Sequence, residues 1–140
     1  MAELALREGR PSHHYTLPIG EVFATKLAEL VKNIEGYGVT LNFRDEDYNA
    51  ETGGFHPVEI RLERHREQWR ICYITEFCYV GSGYFAELAK AIDFDIGCDT
   101  FQTAFGCFPI RTGHDMYEVW EPNFLSYWEM GVFTIKVTPD

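Results

Sequence analysis

No stretch of this chain is long and apolar enough to cross a bilayer: the best run, Ile71 to Val80, falls well short of the span of about 20 residues that a hydrocarbon core requires. The first residues, Met1 to Pro11, mix charges throughout and lack an apolar block ending in small residues, so no secretory leader is expected and the cytoplasm is the expected location. Four cysteines, Cys72, Cys78, Cys98 and Cys107, are too far apart to form a Cys-x-x-Cys pair, which argues against a structural zinc or dithiol site and for reduced, mostly buried thiols. Cations are scarce where acids are not. Residues 71–140 hold three Lys/Arg (Lys90, Arg111, Lys136) against ten Asp/Glu, and the whole chain carries −10, so a nucleic-acid partner is not expected. The one basic run, Arg61 to Arg66, is interleaved with glutamate and reads as a solvated strand face and hairpin tip.

Catalytic signatures are missing as well. There is no Gly-x-Ser-x-Gly, no cysteine beside a histidine and no complete phosphate-binding glycine loop, and no cofactor is expected. Internal repeats and low-complexity linkers are also absent. The 140 residues, 46% hydrophobic and 16% aromatic, suffice for one core without staples.

Residues 1–18, with Gly9, Pro11, His13, His14 and Pro18, have no sustained period and read as a flexible extension, leaving residues 19–140 as a single domain. Within it Val22, Phe23, Leu27, Leu30, Val31 and Ile34 recur at helical spacing up to Gly36. Val39, Leu41 and Phe43, then Val58, Ile60 and Leu62, alternate with polar residues as two strands. A turn at His65–Gln68 leads to a third strand, Trp69 to Tyr79, apolar in both phases and therefore expected to be central and covered on both sides. The spacing of Tyr84, Leu88 and Ile92 predicts a short helix; Asp93 to Pro109 has no assignable pattern. Met116 to Trp128 predicts a helix that Pro122 kinks or splits, and Val132 to Thr138 a last strand. The expected fold is α+β: a mainly antiparallel sheet of about four strands with helices packed on one face.

The loop between the first two strands, Asn42 to Pro57, concentrates the chemistry. Asp45, Asp47, Asn49 and Glu51 alternate as in a calcium loop, but the sixth position is Ala50 and the twelfth His56, so the turn glycine and the bidentate glutamate are both missing. Asp93, Asp95 and Asp99 form a second acidic cluster, with Gly97 among them and an incomplete ligand set. Asx-turns and strand ends account for Asp45, Asp47, Asp93 and Asp95 equally, and no metal site is expected. His56, between Gly53-Gly54-Phe55 and Pro57, is the leading candidate for a general base oriented by Asp45 or Glu59, with Arg44 nearby; a structural role in the loop is the competing reading. Tyr73, Tyr84 and Trp120 are the candidates for lining an apolar pocket or a partner surface.

Three segments carry a resemblance: Gly38 to Asp45 continuing into Gly53-Gly-Phe-His-Pro-Val-Glu-Ile-Arg-Leu62; Tyr73-Ile-Thr-Glu-Phe77 with Ile92-Asp-Phe94; and Asn123-Phe-Leu-Ser-Tyr127 with Met130-Gly-Val-Phe133. Together, over residues 38–137, they resemble the bacterial domain of unknown function 2787 family. The resemblance implies a small bacterial cytoplasmic protein and transfers no catalytic role. The function expected on the residues is a non-enzymatic module that binds a protein partner or its own copy through acidic and aromatic surface; the alternative is a small acid–base enzyme or ligand-binding protein built around His56, Asp45, Arg44 and Glu59.

Overall fold

Alternating side chains need a sheet that buries every second residue, and the first three strands supply it: β1 (Gly38–Arg44), β2 (Val58–His65) and β3 (Gln68–Val80) form an antiparallel meander. The computed structural model describes residues 17–140; the expected N-terminal extension lies outside the described residues except for Leu17 and Pro18, and Leu17 is buried in the core. The helix α1 (Glu21–Val31) turns Phe23, Ala24, Leu27, Ala28 and Val31 inward.

Beyond β3 the chain departs from the sequence reading. Residues 83–85 form a single 3-10 turn, and Glu87–Asp95 is strand β4, not a helix. Glu87 to Ala91 are good helix formers, but β3 runs for 13 residues and offers a full ladder, and that long-range pairing overrides the local propensity. The unassigned stretch contains two short strands, β5 (Thr100–Thr103) and β6 (Gly106–Pro109), joined by the two-residue tip Ala104-Phe105. A 3-10 turn at Ile110–Gly113 leads into α2 (His114–Glu129), and β7 (Thr134–Pro139) closes the fold. Pro122 neither splits nor ends α2; it lies on the exposed side, where the carbonyl it leaves unpaired can face water.

The sheet therefore has seven strands, in the order β6-β5-β4-β3-β2-β1-β7, instead of about four. All pairings are antiparallel, and β3 is the middle strand. Register aligns side chains into rows across it. Val137, Leu41, Ile60, Ile74, Phe94, Phe101 and Phe108 make one continuous apolar row. The adjacent row on the opposite face is polar: Lys136, Asn42, Glu59, Thr75, Asp93, Gln102 and Cys107. Both helices pack on the apolar face. The other face of β3 is half-buried by its own long side chains, and there Thr75 and Asp93, both buried, hydrogen-bond each other at 2.8 Å.

Because β7 pairs with β1 at the edge opposite β6, the connection must cross the whole sheet. Six strand spacings of about 4.8 Å amount to roughly 29 Å. The 16 residues of α2 cover about 24 Å of that, and the flanking turns supply the rest. Crossing obliquely, α2 lays Tyr117, Trp120 and Phe124 on the apolar rows; Phe124 meets Phe43 edge-on at 5.0 Å, and Trp120 meets Phe94 at 5.9 Å. Glu121 of α2 reaches α1 by accepting the Gly20 N–H at 2.9 Å and the buried Tyr117 hydroxyl at 2.6 Å. A Cβ on Gly20 would stand 2.5 Å from the Glu121 carboxylate, so a larger residue at this N-cap position would require the Glu121 side chain to shift.

The four cysteines are free, as expected, but not mostly buried: Cys72 and Cys78 are half-buried and Cys98 and Cys107 exposed. Among the described residues no helix is long and apolar enough to cross a membrane.

The β2–β3 turn places Arg66 and Glu67 at φ of 54° and 65°, a type I′ geometry that disfavours side chains with a Cβ. Replacing them together (Arg66→Asn, Glu67→Gly) is expected to stabilise the protein by about 1 kcal/mol. Urea unfolding monitored by tryptophan fluorescence would measure the gain.

Candidate functional site

The acidic loop after β1 is folded by its own side chains. Asp45 accepts the Asp47 N–H with Oδ1 and the Phe55 N–H with Oδ2, both at 3.0 Å. Asn49 Oδ1 accepts from Glu51 and Thr52, each at 2.9 Å, and its Nδ2 donates to the Thr52 hydroxyl. Gly54 sits at φ 142°, and a Cβ there would come within 2.9 Å of both Asp45 and the Tyr48 backbone. Tyr48 ties the loop to the end of β3 by accepting the Tyr79 N–H, and Phe77 N–H donates to the Pro57 carbonyl. This scaffold fixes the backbone on which His56 stands.

The partner of His56 is Glu76. Its Nδ1 lies 2.8 Å from Glu76 Oε2, while Glu76 Oε1 accepts the Trp120 indole N–H at 2.8 Å. Glu76 belongs to the apolar face of β3: its row reads Ile135, Phe43, Val58, Glu76, Ile92, one carboxylate among four hydrophobic side chains. That face extends past the core as a cleft of about 330 Å³ between the loop, the sheet and α2. His56 and Glu76 line its polar side; Phe55, Met116, Val119, Phe124, Tyr127 and Phe133 make the apolar walls, and Asn123 stands among them. Phe55 packs on Tyr127 at 4.8 Å, and the Tyr48 ring lies 5.4 Å from the imidazole.

A carboxylate only accepts hydrogen bonds, so Nδ1 carries a proton toward Glu76, and in the neutral imidazole Nε2 is an acceptor with no protein partner among the described residues. The histidine side chain is 41% exposed and the glutamate 21%, which places the pair at the cleft mouth, the histidine outermost.

The other sequence candidates do not join it. Asp45 is occupied with the loop backbone, as its Asx-turn reading requires. Glu59 lies on the opposite face of the sheet, where the Tyr73 hydroxyl donates to it; burial and that carboxylate together raise the Tyr73 pKa. Arg44 ends β1, exposed and paired in register with Thr134. Tyr84 is 96% exposed at the β3–β4 turn, far from any interior position, whereas Trp120 does line the cleft. Of the four acids weighed as metal ligands, Asp93 bonds Thr75 and Lys90, Asp95 caps the Cys98 N–H, and Asp45 and Asp47 stay in their loop, so the two pairs do not converge. The ligand-type atoms that do approach one another among the described residues belong to His114, Asp115 and Glu118, near the surface at the start of α2.

Sequence reasoning passed over Glu76, although a signal was present. Counting by two from Ile74 puts Glu76 in the inward phase of a central strand, where an acid needs partners to be tolerated. Replacing Glu76 with alanine removes both partners at once and leaves the Trp120 N–H unpaired; the expected loss is about 1–3 kcal/mol. His56→Ala, at an exposed position, is expected to change stability by less than about 0.5 kcal/mol. Denaturation of the two variants, with the Trp120 indole proton followed by NMR, distinguishes the two roles.

The chain has relatives of known structure. It is 36% identical to the hypothetical protein VC0508 from the Vibrio cholerae VSP-II pathogenicity island, over 87% of this chain and 95% of that one, with a TM-score of 0.78. Its identity to the conserved hypothetical protein VC1805 from the Vibrio cholerae pathogenicity island VPI-2 is 43%, with the same coverage and a TM-score of 0.79; VC1805 is described as sharing structural homology with the human P32 protein. No curated protein matches the chain. The family described as "Protein of unknown function (DUF2787)" matches residues 19–138, which adds α1 to the segments that carry the resemblance, and the chain belongs to that family.

Proposed function

We propose that this domain binds a small, largely apolar molecule with one polar group, in the cleft beside His56. The observation that carries this reading is the His56–Glu76–Trp120 chain of hydrogen bonds set into an otherwise hydrophobic wall. Ligand sites have this composition: apolar area for affinity and a few fixed polar atoms for orientation. The carboxylate also holds His56 as it would hold a general base. The lining residues include no serine, threonine, cysteine or lysine to act as nucleophile, so the reading rests on binding and extends to acid–base chemistry only through the imidazole.

Val119 projects from α2 into the cleft from an exposed position, so enlarging it should fill the site without disturbing the core. In a fragment screen by NMR, binders are expected to shift the signals of His56 and the Trp120 indole, and Val119→Trp to abolish those shifts while the melting temperature holds. Fragment shifts that gather elsewhere, or survive in Val119→Trp, refute the assignment.

A second reading, as a module for partner binding or self-association, draws on one specific feature. Tyr84 and Phe85, 96% and 81% exposed, stack edge-to-face at the tip of the β3–β4 hairpin beside exposed Tyr79, Val80 and Leu88. Contiguous apolar surface of this kind marks association sites. If it drives self-association, light scattering should find an oligomer that Tyr84→Ser with Phe85→Ser dissociates; a concentration-independent monomer would end this reading.

A further inference from the structure

We infer that the ligand of the His56 cleft is an organic ammonium ion, a protonated amine joined to an apolar body. The inference rests on the binding reading above and narrows it by charge. Among the lining residues the charged side chain is Glu76, and neither lysine nor arginine contributes. Both oxygens of Glu76 already accept hydrogen bonds, from Trp120 and His56, but neither donor cancels its negative charge while His56 is neutral. With the imidazole neutral, the cleft presents the negative charge of Glu76 behind a ring whose other nitrogen, Nε2, accepts.

Each ligand class meets this arrangement differently. A carboxylate or phosphate would face an acceptor and a like charge, in a protein whose net charge of −10 already disfavours anions. A neutral alcohol satisfies Nε2 and gains nothing from the charge. An ammonium N–H donates to Nε2 while its charge is balanced through the ring by Glu76, a run of donor-to-acceptor bonds in one direction that strengthens each member. The rings of Phe55 and Tyr127, packed together at 4.8 Å on the cleft wall, add π faces suited to a cation and apolar area for its hydrocarbon body. Because His56 stands at the mouth, the ammonium keeps part of its hydration there, which limits the desolvation cost of bringing a charge to an apolar site.

Three probes with one body and different head groups test this: benzylamine, benzyl alcohol and benzoate, each titrated at up to millimolar concentration and followed by NMR at His56 and the Trp120 indole. Benzylamine is expected to bind about tenfold more tightly than benzyl alcohol, and benzoate most weakly. Added salt should weaken benzylamine and leave benzyl alcohol unchanged. Glu76→Gln keeps an oxygen for the Trp120 N–H, removes the charge and turns an amide N–H toward Nδ1, which makes Nε2 the donor, so the amine-to-alcohol preference should fall to about one or below while benzyl alcohol, which can accept as well as donate, still binds. Retention of the wild-type melting temperature verifies that variant's fold. If benzyl alcohol equals benzylamine, or benzoate binds best, the ammonium inference is overturned and the binding reading survives. If none of the three moves a lining residue, both fall.

Discussion

Trp120 and Phe124, one turn apart on α2 and stacked at 4.8 Å, hold the layers of this domain together. Phe124 seats against Phe43 of β1 and Phe23 of α1, and Trp120 against Phe94 of β4, so one helix turn touches both halves of the sheet and the other helix. The same indole reaches past the core to Glu76 with its N–H. One side chain thus sets where α2 lies on the sheet and also fixes the carboxylate that orients His56. The cleft wall and the core share a structural member, so the polar side of the site is held as rigidly as the packing beneath it.

The parts of the fold that could be read in the sequence are those where burial is one-sided. β1 and β2 alternate cleanly because each has a covered and an uncovered face, and α1 is amphipathic for the same reason. β4 was hidden because much of it is half-buried or exposed: Leu88 projects from a hairpin that outruns the helices, while Ala89 and Ala91 give no phase, and four-residue spacing imitates a helix turn. β5 and β6, four residues each, are too short to show a period, and their pairing depends on β4 being present. The third strand looked covered on both faces because Tyr73 and Phe77 resemble core residues, yet they lie over the polar row of Thr75 and Asp93, closing it with their own bulk.

The site was legible by half. His56 stood out because glycines and a proline bracket it, and it does border an apolar-walled cleft. Its partner was sought among neighbouring acids, whereas Glu76 is 20 residues away and is delivered by register, opposite Val58. Proximity along the chain is a poor guide here because loop carboxylates serve the loop: Asp45 and Asn49 satisfy backbone donors that a bend this tight cannot pair otherwise. A residue at the wrong phase for its polarity is the better clue.

The placement of β7 has a consequence for how the protein is made. Six strands can zip in chain order, each against its predecessor, but the outer border of β1 must wait until everything up to Gly131 has emerged. During synthesis that border is an unsatisfied ribbon of amides backed by Leu41 and Phe43, the kind of surface that recruits strangers. β7, the last strand of the sheet in chain order, covers that border and replaces it with a shorter, more exposed edge that ends in Pro139.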